Sequence, residues 1–138
     1  MTGPPCEIIQ GRLVAPDNPV IGYIDGDGIG CEIGPAARSV IDAAVHTTWQ
    51  GARRISWFRL YAGNDALPLY KERLPQDTLD AIRHYRVCLK GPLATPVGGG
   101  FTSLNVAIRQ QLQLYASVRP FKYIPGIPSP VKHPERVD

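Results

Sequence analysis

The stretch KGPLATPVGGGFTSLNVAIRQQLQLYASVRP, residues 90–120, combines a glycine-rich loop, a helix start and an extended run. From residue 104 onward, mostly apolar residues recur at helical spacing and should pack inward on one helix face. That face comprises Leu104, Ala107, Ile108, Gln111, Leu112 and Tyr115. The runs on either side, RVCLK and LYASVRPFKYI, are typical of β-strands. A helix between two strands is the connection found in parallel sheets, so this stretch indicates an α/β fold.

Strands and helices also alternate upstream of this stretch. NPVIGYID (18–25) predicts a buried strand, and IGPAARSVIDAAV (33–45) predicts the helix that follows it. RRISWFRLYAG (53–63) and LPQDTLDAIRHY (74–85) predict a second strand and a second helix. Residues 124–138 hold four prolines and no periodicity, which excludes a central strand or a helix interior. We therefore expect an extended proline-rich connector at 124–138.

Composition excludes several classes of protein. The chain has 138 residues, 43% of them hydrophobic, which suits one domain or part of one. A net charge of +3 is too small to indicate nucleic-acid binding, and no apolar run is long enough to cross a membrane. The N-terminus lacks the pattern of a signal peptide, and three scattered cysteines form neither a disulfide framework nor a zinc site. Reduced thiols predict a cytoplasmic protein, and we expect Cys88 to be a core thiol.

The glycine turn IDGDGIG resembles a dinucleotide-binding loop only superficially. Gly26, Gly28 and Gly30 give G-x-G-x-G, without the third glycine of G-x-G-x-x-G at its required place. Asp25 and Asp27 would also repel a pyrophosphate. We therefore expect a tight turn between a strand and a helix, with glycines in left-handed conformations.

An anion site is predicted at the start of the helix in residues 90–120. Ser103 is expected to cap the helix through its hydroxyl, and Asn105 and Arg109 lie four residues apart in one row. The helix N-terminus adds unpaired amides and the positive end of the dipole. Three glycines, 98–100, let the backbone approach a ligand. Arg119, at the end of the next predicted strand, adds a second guanidinium, which suits a ligand with several carboxylates.

Each feature of this site has a purely structural alternative when taken alone. A helix arginine is often solvated, a serine at a helix start is often only a cap, and three glycines can form a flexible loop. The alternatives weaken when they are combined, because all of these groups converge on one helix end.

The same residues resemble the substrate segment of decarboxylating isocitrate dehydrogenases of the bacterial, NADP-dependent type. YIDGDGIG, NDALP, YRVCLKGPL and GIPSPVKHPE are also similar to that family and occur in the same order. The SLNV sequence favours the isocitrate dehydrogenases over the sister isopropylmalate dehydrogenases. The resemblance covers nearly the whole chain and implies the N-terminal part of that fold: an incomplete α/β sheet with flanking helices.

The resemblance implies a role for each residue of the predicted anion site. Ser103 and Asn105 would bind the carboxylate that distinguishes isocitrate, and Arg109 and Arg119 would bind the other carboxylates. Lys90 is a possible auxiliary residue. In the bacterial family, the serine at position 103 is also the residue that a dedicated kinase/phosphatase modifies.

The resemblance further implies NADP as the cofactor, with residues 94 and 95 near its nicotinamide end. The family usually reads Leu-Thr-Thr-Pro here, whereas this chain has Ala94 before Thr95, which removes one hydroxyl contact. Thr102 stands where close relatives often carry arginine, so kinase recognition is also in question. Mg²⁺ or Mn²⁺ would complete the site. The family's catalytic tyrosine and lysine, third substrate arginine, metal-binding aspartates and adenosine pocket all follow the stretch that matches Asp138.

The resemblance predicts that residues 1–138 form the N-terminal part of the large α/β domain of an isocitrate dehydrogenase. The full-length enzyme would convert isocitrate to 2-oxoglutarate in the tricarboxylic acid cycle, beside the glyoxylate bypass, as a cytoplasmic homodimer. We expect the 138 residues alone to carry half the substrate site, no catalytic or metal-binding residue, and no activity. The alternative is a truncated, non-catalytic module that binds a polycarboxylate, an enzyme subunit or a regulatory kinase. The intact mass of the native protein distinguishes the two.

Overall fold

The computed structural model describes residues 3–94, 103–120 and 122–136. The strands are β1 (Glu7–Ile9), β2 (Arg12–Val14), β3 (Val20–Ile24), β4 (Ser56–Arg59) and β5 (Cys88–Lys90). The helices are α1 (Gly30–Trp49), α2 (Leu67–Tyr70), α3 (Gln76–Tyr85) and α4 (Leu104–Gln111), with 3₁₀ turns at Gly63–Ala66 and Pro134–Arg136. The predicted alternation of strands and helices is confirmed from β3 to α4.

Three strands form a parallel sheet in the order β4–β3–β5. Tyr23 of the central strand lies opposite Arg59 on one side and Leu89 on the other. Each connection between strands that follow one another along the chain, β3 to β4 and β4 to β5, passes through helices, as parallel strands require. The predicted α/β class is therefore confirmed, and the carboxyl ends of all three strands meet at one edge of the sheet.

The helices α3 and α4 pack on the same face of this sheet. The buried core consists of Ile24, Leu60, Ala62, Leu93 and Ile108. Ala81 and Ile82 of α3 and Leu104 and Leu112 at α4 pack against it. The predicted inward face of α4 is confirmed for its central residues, because Ile108 is buried there.

Tyr115 does not belong to that inward face, and its side chain is fully exposed at 102%. Gln111, also assigned to that face, is exposed as well. The helix ends at Gln111, and Gln113 then adopts a left-handed conformation with φ of 54°. Helical spacing therefore no longer applies at position 115.

The prediction of a fourth strand within LYASVRPFKYI is wrong for the described residues. Residues 114–120 have no regular secondary structure and pair with no strand in the part of the chain that the structure describes. Leu114 and Val118 are largely exposed. Strand-forming residues provide propensity, but a strand also requires a neighbouring edge to which its backbone can bond.

Two exposed apolar surfaces complete the fold. Ile33 and Val40 of α1 and the preceding Ile29 are exposed, Val40 to 70%. The hairpin β1–β2, which the sequence reading missed, pairs Ile8 with Leu13 across a turn at Gln10 and Gly11. Both turn residues have positive φ, 50° and 77°, as tight hairpin turns require.

The predicted connector has little regular structure. Within residues 122–136, the 3₁₀ turn Pro134–Arg136 is the one regular element that the structure describes. Its prolines cannot donate backbone hydrogen bonds, which accounts for the absence of a strand there.

Candidate functional site

A cleft of about 590 Å³ opens between α3, β5, α4 and the segment 114–119 that follows α4. It is lined by Ile24, Ile82, Arg86, Cys88, Lys90, Ser103, Asn105, Ile108, Arg109, Leu112, Leu114 and Arg119. The residues predicted to bind substrate, together with Lys90, all lie on this cleft. Their proximity agrees with the convergence predicted from sequence, although their roles remain predictions.

Ser103 occupies the N-cap position of α4, as predicted, but its side chain does not cap the helix. The hydroxyl makes no capping hydrogen bond. Instead, the backbone carbonyl of Ser103 accepts from the amides of Val106, at 2.8 Å, and Ala107, at 2.9 Å. The predicted cap bond is therefore wrong, because the backbone alone closes the first turn.

Asn105 and Arg109 lie in one row of α4 and are both half-buried. The Nδ2 group of Asn105 donates to the carbonyl oxygen of Leu93 at 3.4 Å, which ties α4 to the loop after β5. Nε of Arg109 donates to the carbonyl oxygen of Asn105 at 3.0 Å. This bond orients the guanidinium through Nε and leaves its two terminal amino groups for other partners.

Lys90 and Cys88 form the wall that β5 contributes to the cleft. Nζ of Lys90 donates to the carbonyl oxygen of Gly91 at 2.7 Å. Burial lowers the pKa of Lys90, the Cys88 thiolate opposes this, and the like charge of Arg109 lowers the pKa further. Burial raises the pKa of Cys88 to about 11, against a smaller opposing effect of Lys90. Cys88 is therefore a protonated thiol at neutral pH, consistent with the expected core thiol.

The charge of the cleft is uniformly positive. Arg86, Lys90, Arg109 and Arg119 line it, and none of the described lining residues is an aspartate or glutamate. Cations without neighbouring carboxylates attract anionic ligands, and the low dielectric of a half-buried cleft strengthens that attraction. The cleft is therefore suited to a polyanion.

The glycine turn after β3 serves the fold, as expected. Gly26 and Gly28 have positive φ, and a Cβ at Gly26 would lie 2.0 Å from the carbonyl oxygen of Pro92. Asp25 forms a 2.7 Å ion pair with Arg38. Because the turn contacts the loop after β5 so closely, it leaves no room there for a pyrophosphate.

Asp27, in the same turn, connects three loops at the carboxyl edge of the sheet. Its carboxylate accepts from the amides of Asn64, at 2.8 Å, and Ala94, at 2.7 Å. The residue is only 8% exposed. Ala94, predicted near the cofactor, therefore already uses its amide within the fold.

Several predicted residues lie outside the described ranges. Thr95, the glycines 98–100 and Thr102 belong to the segment between residues 94 and 103, so the structure neither supports nor contradicts their roles.

Sequence reasoning missed Arg86 as a lining residue. It ends α3 in a left-handed conformation with φ of 66°, which is uncommon for a residue other than glycine. A cation at the first position of the predicted strand RVCLK was the available signal, but position alone does not reveal a cleft.

Within the described residues, no group of three or more histidine, cysteine, aspartate or glutamate side chains could hold a metal ion. Over the same ranges, no helix is long and apolar enough to span a membrane.

Comparisons with known proteins agree on one family. A sequence model of the isocitrate/isopropylmalate dehydrogenase family matches residues 20–138. An NADP isocitrate dehydrogenase from Archaeoglobus fulgidus is 57% identical over 94% of this chain and 31% of its own length. Another, from a Nostoc species, is 55% identical over 99% of this chain and 29% of its own length.

A solved structure supports the same assignment. The crystal structure of isocitrate dehydrogenase from Methylococcus capsulatus has a TM-score of 0.61 and 45% identity over 70% of this chain. The match covers 26% of that protein's chain. The present chain thus spans roughly a third of the length of the curated relatives that it matches.

Proposed function

Because the chain belongs to the isocitrate/isopropylmalate dehydrogenase family, we propose that it carries part of the substrate site of an NADP-dependent isocitrate dehydrogenase. Residues 1–138 would form the N-terminal part of the large α/β domain, with the connector at 124–138. The complete enzyme would oxidise and decarboxylate isocitrate to 2-oxoglutarate in the tricarboxylic acid cycle. The NADP isocitrate dehydrogenases from Archaeoglobus fulgidus and the Nostoc species support this proposal.

One observation carries the assignment of the site. Ser103, Asn105, Arg109 and Arg119 line a single cleft whose described lining residues include four cations and no carboxylate. These residues are up to 16 positions apart in sequence, so their convergence depends on the fold.

Each residue has a chemical task in binding a tricarboxylate. The terminal amino groups of Arg109 and the guanidinium of Arg119 would each hold one carboxylate through paired hydrogen bonds. The Ser103 hydroxyl, which does not cap α4, would donate to the third carboxylate beside the helix N-terminus. Lys90 would add attraction and help to exclude wrongly charged ligands. Together these contacts would hold the reacting carbon in one orientation.

NADP has predicted neighbours in this chain, whereas the metal ion has none among the described lining residues. NADP would accept the hydride, and residues 94 and 95 are its predicted neighbours in this chain. Mg²⁺ or Mn²⁺ does not fit the described lining residues, because none of them offers a carboxylate ligand. We therefore assign no metal-dependent step to this chain, and we expect 138 residues alone to form no NADPH.

We also propose that Ser103 is a regulatory site for a kinase/phosphatase. A phosphate on Ser103 would add about −1.5 to −2 charges where a substrate carboxylate should bind. The helix N-terminus and Arg109 would stabilise that phosphate, so the fold should tolerate it. The same charge would exclude substrate.

The remaining proposals concern assembly and location. The complete enzyme would be a cytoplasmic homodimer whose subunits share the active site. Sedimentation of the complete enzyme tests the dimer: a monomer at catalytic concentrations would contradict it.

Substrate choice tests the proposed function itself. NADPH formation by the complete enzyme should strongly favour isocitrate over isopropylmalate, which offers one carboxylate fewer to the cations and donors of the cleft. A preference for isopropylmalate, or no turnover of isocitrate with Mg²⁺ present, would contradict the assignment.

A further inference from the structure

Asp27 bonds to one loop from each strand that flanks β3. Its Oδ1 accepts from the amide of Asn64, in the loop after β4, at 2.8 Å. Its Oδ2 accepts from the amide of Ala94, in the loop after β5, at 2.7 Å. The residue is buried, and an amide on each oxygen gives the carboxylate one preferred orientation. Asp27 therefore fixes both loops relative to the central strand.

A second bond between Asp27 and the loop after β5 runs in the opposite direction. The amide of Asp27 donates to the carbonyl oxygen of Pro92 at 2.7 Å. Asp27 thus bonds to the residue on each side of Leu93, whose own side chain is buried in the core. Because its neighbours are held and its side chain is packed, the backbone of Leu93 has little freedom to move.

The carbonyl oxygen of Leu93 is the acceptor for the side chain of Asn105, whose Nδ2 lies 3.4 Å away. Because a carbonyl oxygen can only accept, this contact determines which end of the amide faces Leu93. It leaves the second N–H of Nδ2 for another acceptor. Asn105 lines the cleft, so this N–H is a donor for an anionic ligand there.

The contact between Asn105 and Leu93 depends on the position of the loop after β5. At 3.4 Å it is longer than the usual range of about 2.7–3.2 Å, so a small displacement of the carbonyl group would break it. In the described part of the chain, no second hydrogen bond holds the Asn105 side chain. The orientation of this amide therefore depends on how firmly Leu93 is held.

We propose that Asp27 is a positioning residue for the substrate site and acts on Asn105 through the loop after β5. By holding Pro92 and Ala94, it fixes the carbonyl group of Leu93, which orients the amide of Asn105 for the ligand. That the ligand is isocitrate rests on the proposed function, whereas the orientation of Asn105 by Asp27 does not.

Asp27→Ala tests the proposal in the complete protein without ligand, because it removes both acceptor oxygens. In a crystal structure of this variant, Nδ2 of Asn105 should lie more than about 3.5 Å from the carbonyl oxygen of Leu93. If Asp27→Ala does not fold, Gly63→Ala replaces it. A Cβ at Gly63 would lie 2.5 Å from Oδ2 of Asp27, the oxygen that holds Ala94, so it displaces the carboxylate. An Asn105 side chain that keeps its place in the folded variant would overturn the proposal.

Thr78→Val is the control for a loss of stability alone. Oγ1 of Thr78 donates to the carbonyl oxygen of Tyr61 at 2.7 Å, and Thr78 is buried, so losing this bond should destabilise the fold. Asn105 should keep its contact with Leu93 in this variant. Displacement of Asn105 in both variants would indicate a general loosening of the fold and would overturn the specific role of Asp27.

Isocitrate binding, measured by calorimetry, tests the consequence for the substrate site. Asp27→Ala should weaken binding about 10-fold in the wild type, but less than about 3-fold when Asn105→Ala is already present, because both changes act on one contact. Equal weakening in the two backgrounds, or an unchanged affinity of Asp27→Ala, would overturn the positioning role. If the wild type does not bind isocitrate, the proposed function fails, and the crystal structures alone decide whether Asp27 orients Asn105.

Discussion

The carboxyl ends of β3 and β5 are neighbours in the sheet, but the charged groups that follow them are satisfied differently. After β3, Asp25 pairs with Arg38, and Asp27 accepts hydrogen bonds from two backbone amides. In the cleft beside β5, the hydrogen bonds that Lys90 and Arg109 make within the described residues go to backbone carbonyls. No described lining residue neutralises these cations. Charged groups that are paired or hydrogen-bonded within the chain stabilise the fold. Cations without a carboxylate partner in the cleft are available to a ligand.

Asp27→Ala should cause the largest effect and should act on stability. The substitution removes the acceptor of two backbone amides, each of which loses about 1–3 kcal/mol when left unsatisfied, so the free energy of unfolding should fall by about 2–6 kcal/mol. Urea unfolding of the complete protein measures this loss of stability. Asp42→Ala is the control, because Asp42 accepts from Trp57 in an exposed position. A similar loss in both variants would contradict the structural role assigned to the glycine turn.

Arg109→Ala and Arg119→Ala should act on catalysis. Each should lower kcat/KM for isocitrate. The loss of transition-state stabilisation should be about 2–5 kcal/mol, the range for truncating one partner of a buried charge pair. The melting temperature should change little, because neither guanidinium is paired with a carboxylate in the described structure. Arg53→Ala is the matched control, since Arg53 pairs with Asp17 at 2.9 Å and does not line the cleft. Small and equal effects at all three positions would remove the basis of the proposed site.

Burial of the Cys88 thiol should make the stability of the fold sensitive to alkaline pH. Its pKa rises from an ordinary 9.0 to about 11 in the folded chain, so between these values the folded state binds more protons. Stability should therefore fall as pH rises through this window, by less than about 2.7 kcal/mol, given partial exposure. Lys90 acts in the opposite direction, because its lowered pKa makes stability rise with pH in its own window.

Comparison of the wild type with Cys88→Ala isolates the thiol. Urea unfolding at pH 8.5 and pH 10.5 should show a larger loss of stability for the wild type. An equal pH dependence of both proteins would contradict the burial of this thiol.

Ser103→Ala should have the smallest effect. Because the hydroxyl makes no capping bond, the free energy of unfolding should stay within about 0.5 kcal/mol of the wild type. Isocitrate binding should weaken by about 1–2 kcal/mol, the order of magnitude of one hydrogen bond. Thermal melting and calorimetric titration measure the two quantities separately. A clear loss of stability with unchanged binding would reassign Ser103 to the fold.

Local sequence patterns predicted helices and strands where the residues of one helix or strand are enough to identify it. The periodicity of α3 and α4 and the apolar run of β3 sufficed, and the spacing of Asn105 and Arg109 placed both in one row. The hairpin β1–β2 was missed, although Gln10–Gly11 between two apolar triplets was a visible turn signal.

Contacts between residues far apart in the sequence could not be predicted from it. Asp27 bonds to residues 37 and 67 positions away, and nothing in its neighbours reveals either partner. The fourth strand failed for the same reason, because the propensity of residues 114–119 does not reveal whether the edge of β5 is available to them. The hydroxyl of Ser103 was misjudged because the backbone closes the first turn of α4 without it.

Calorimetric titration of isocitrate into Ser103→Asp, beside Ser103→Ala, tests most directly whether the cleft at the N-terminus of α4 binds substrate. The carboxylate of Ser103→Asp adds a negative charge beside Arg109 and the positive end of the helix dipole, where the substrate carboxylate is proposed to lie. We predict that Ser103→Asp melts within a few degrees of the wild type and shows no measurable isocitrate binding, while Ser103→Ala still binds. Equal affinities of the two variants would show that Ser103 does not face the substrate and would contradict the proposed site.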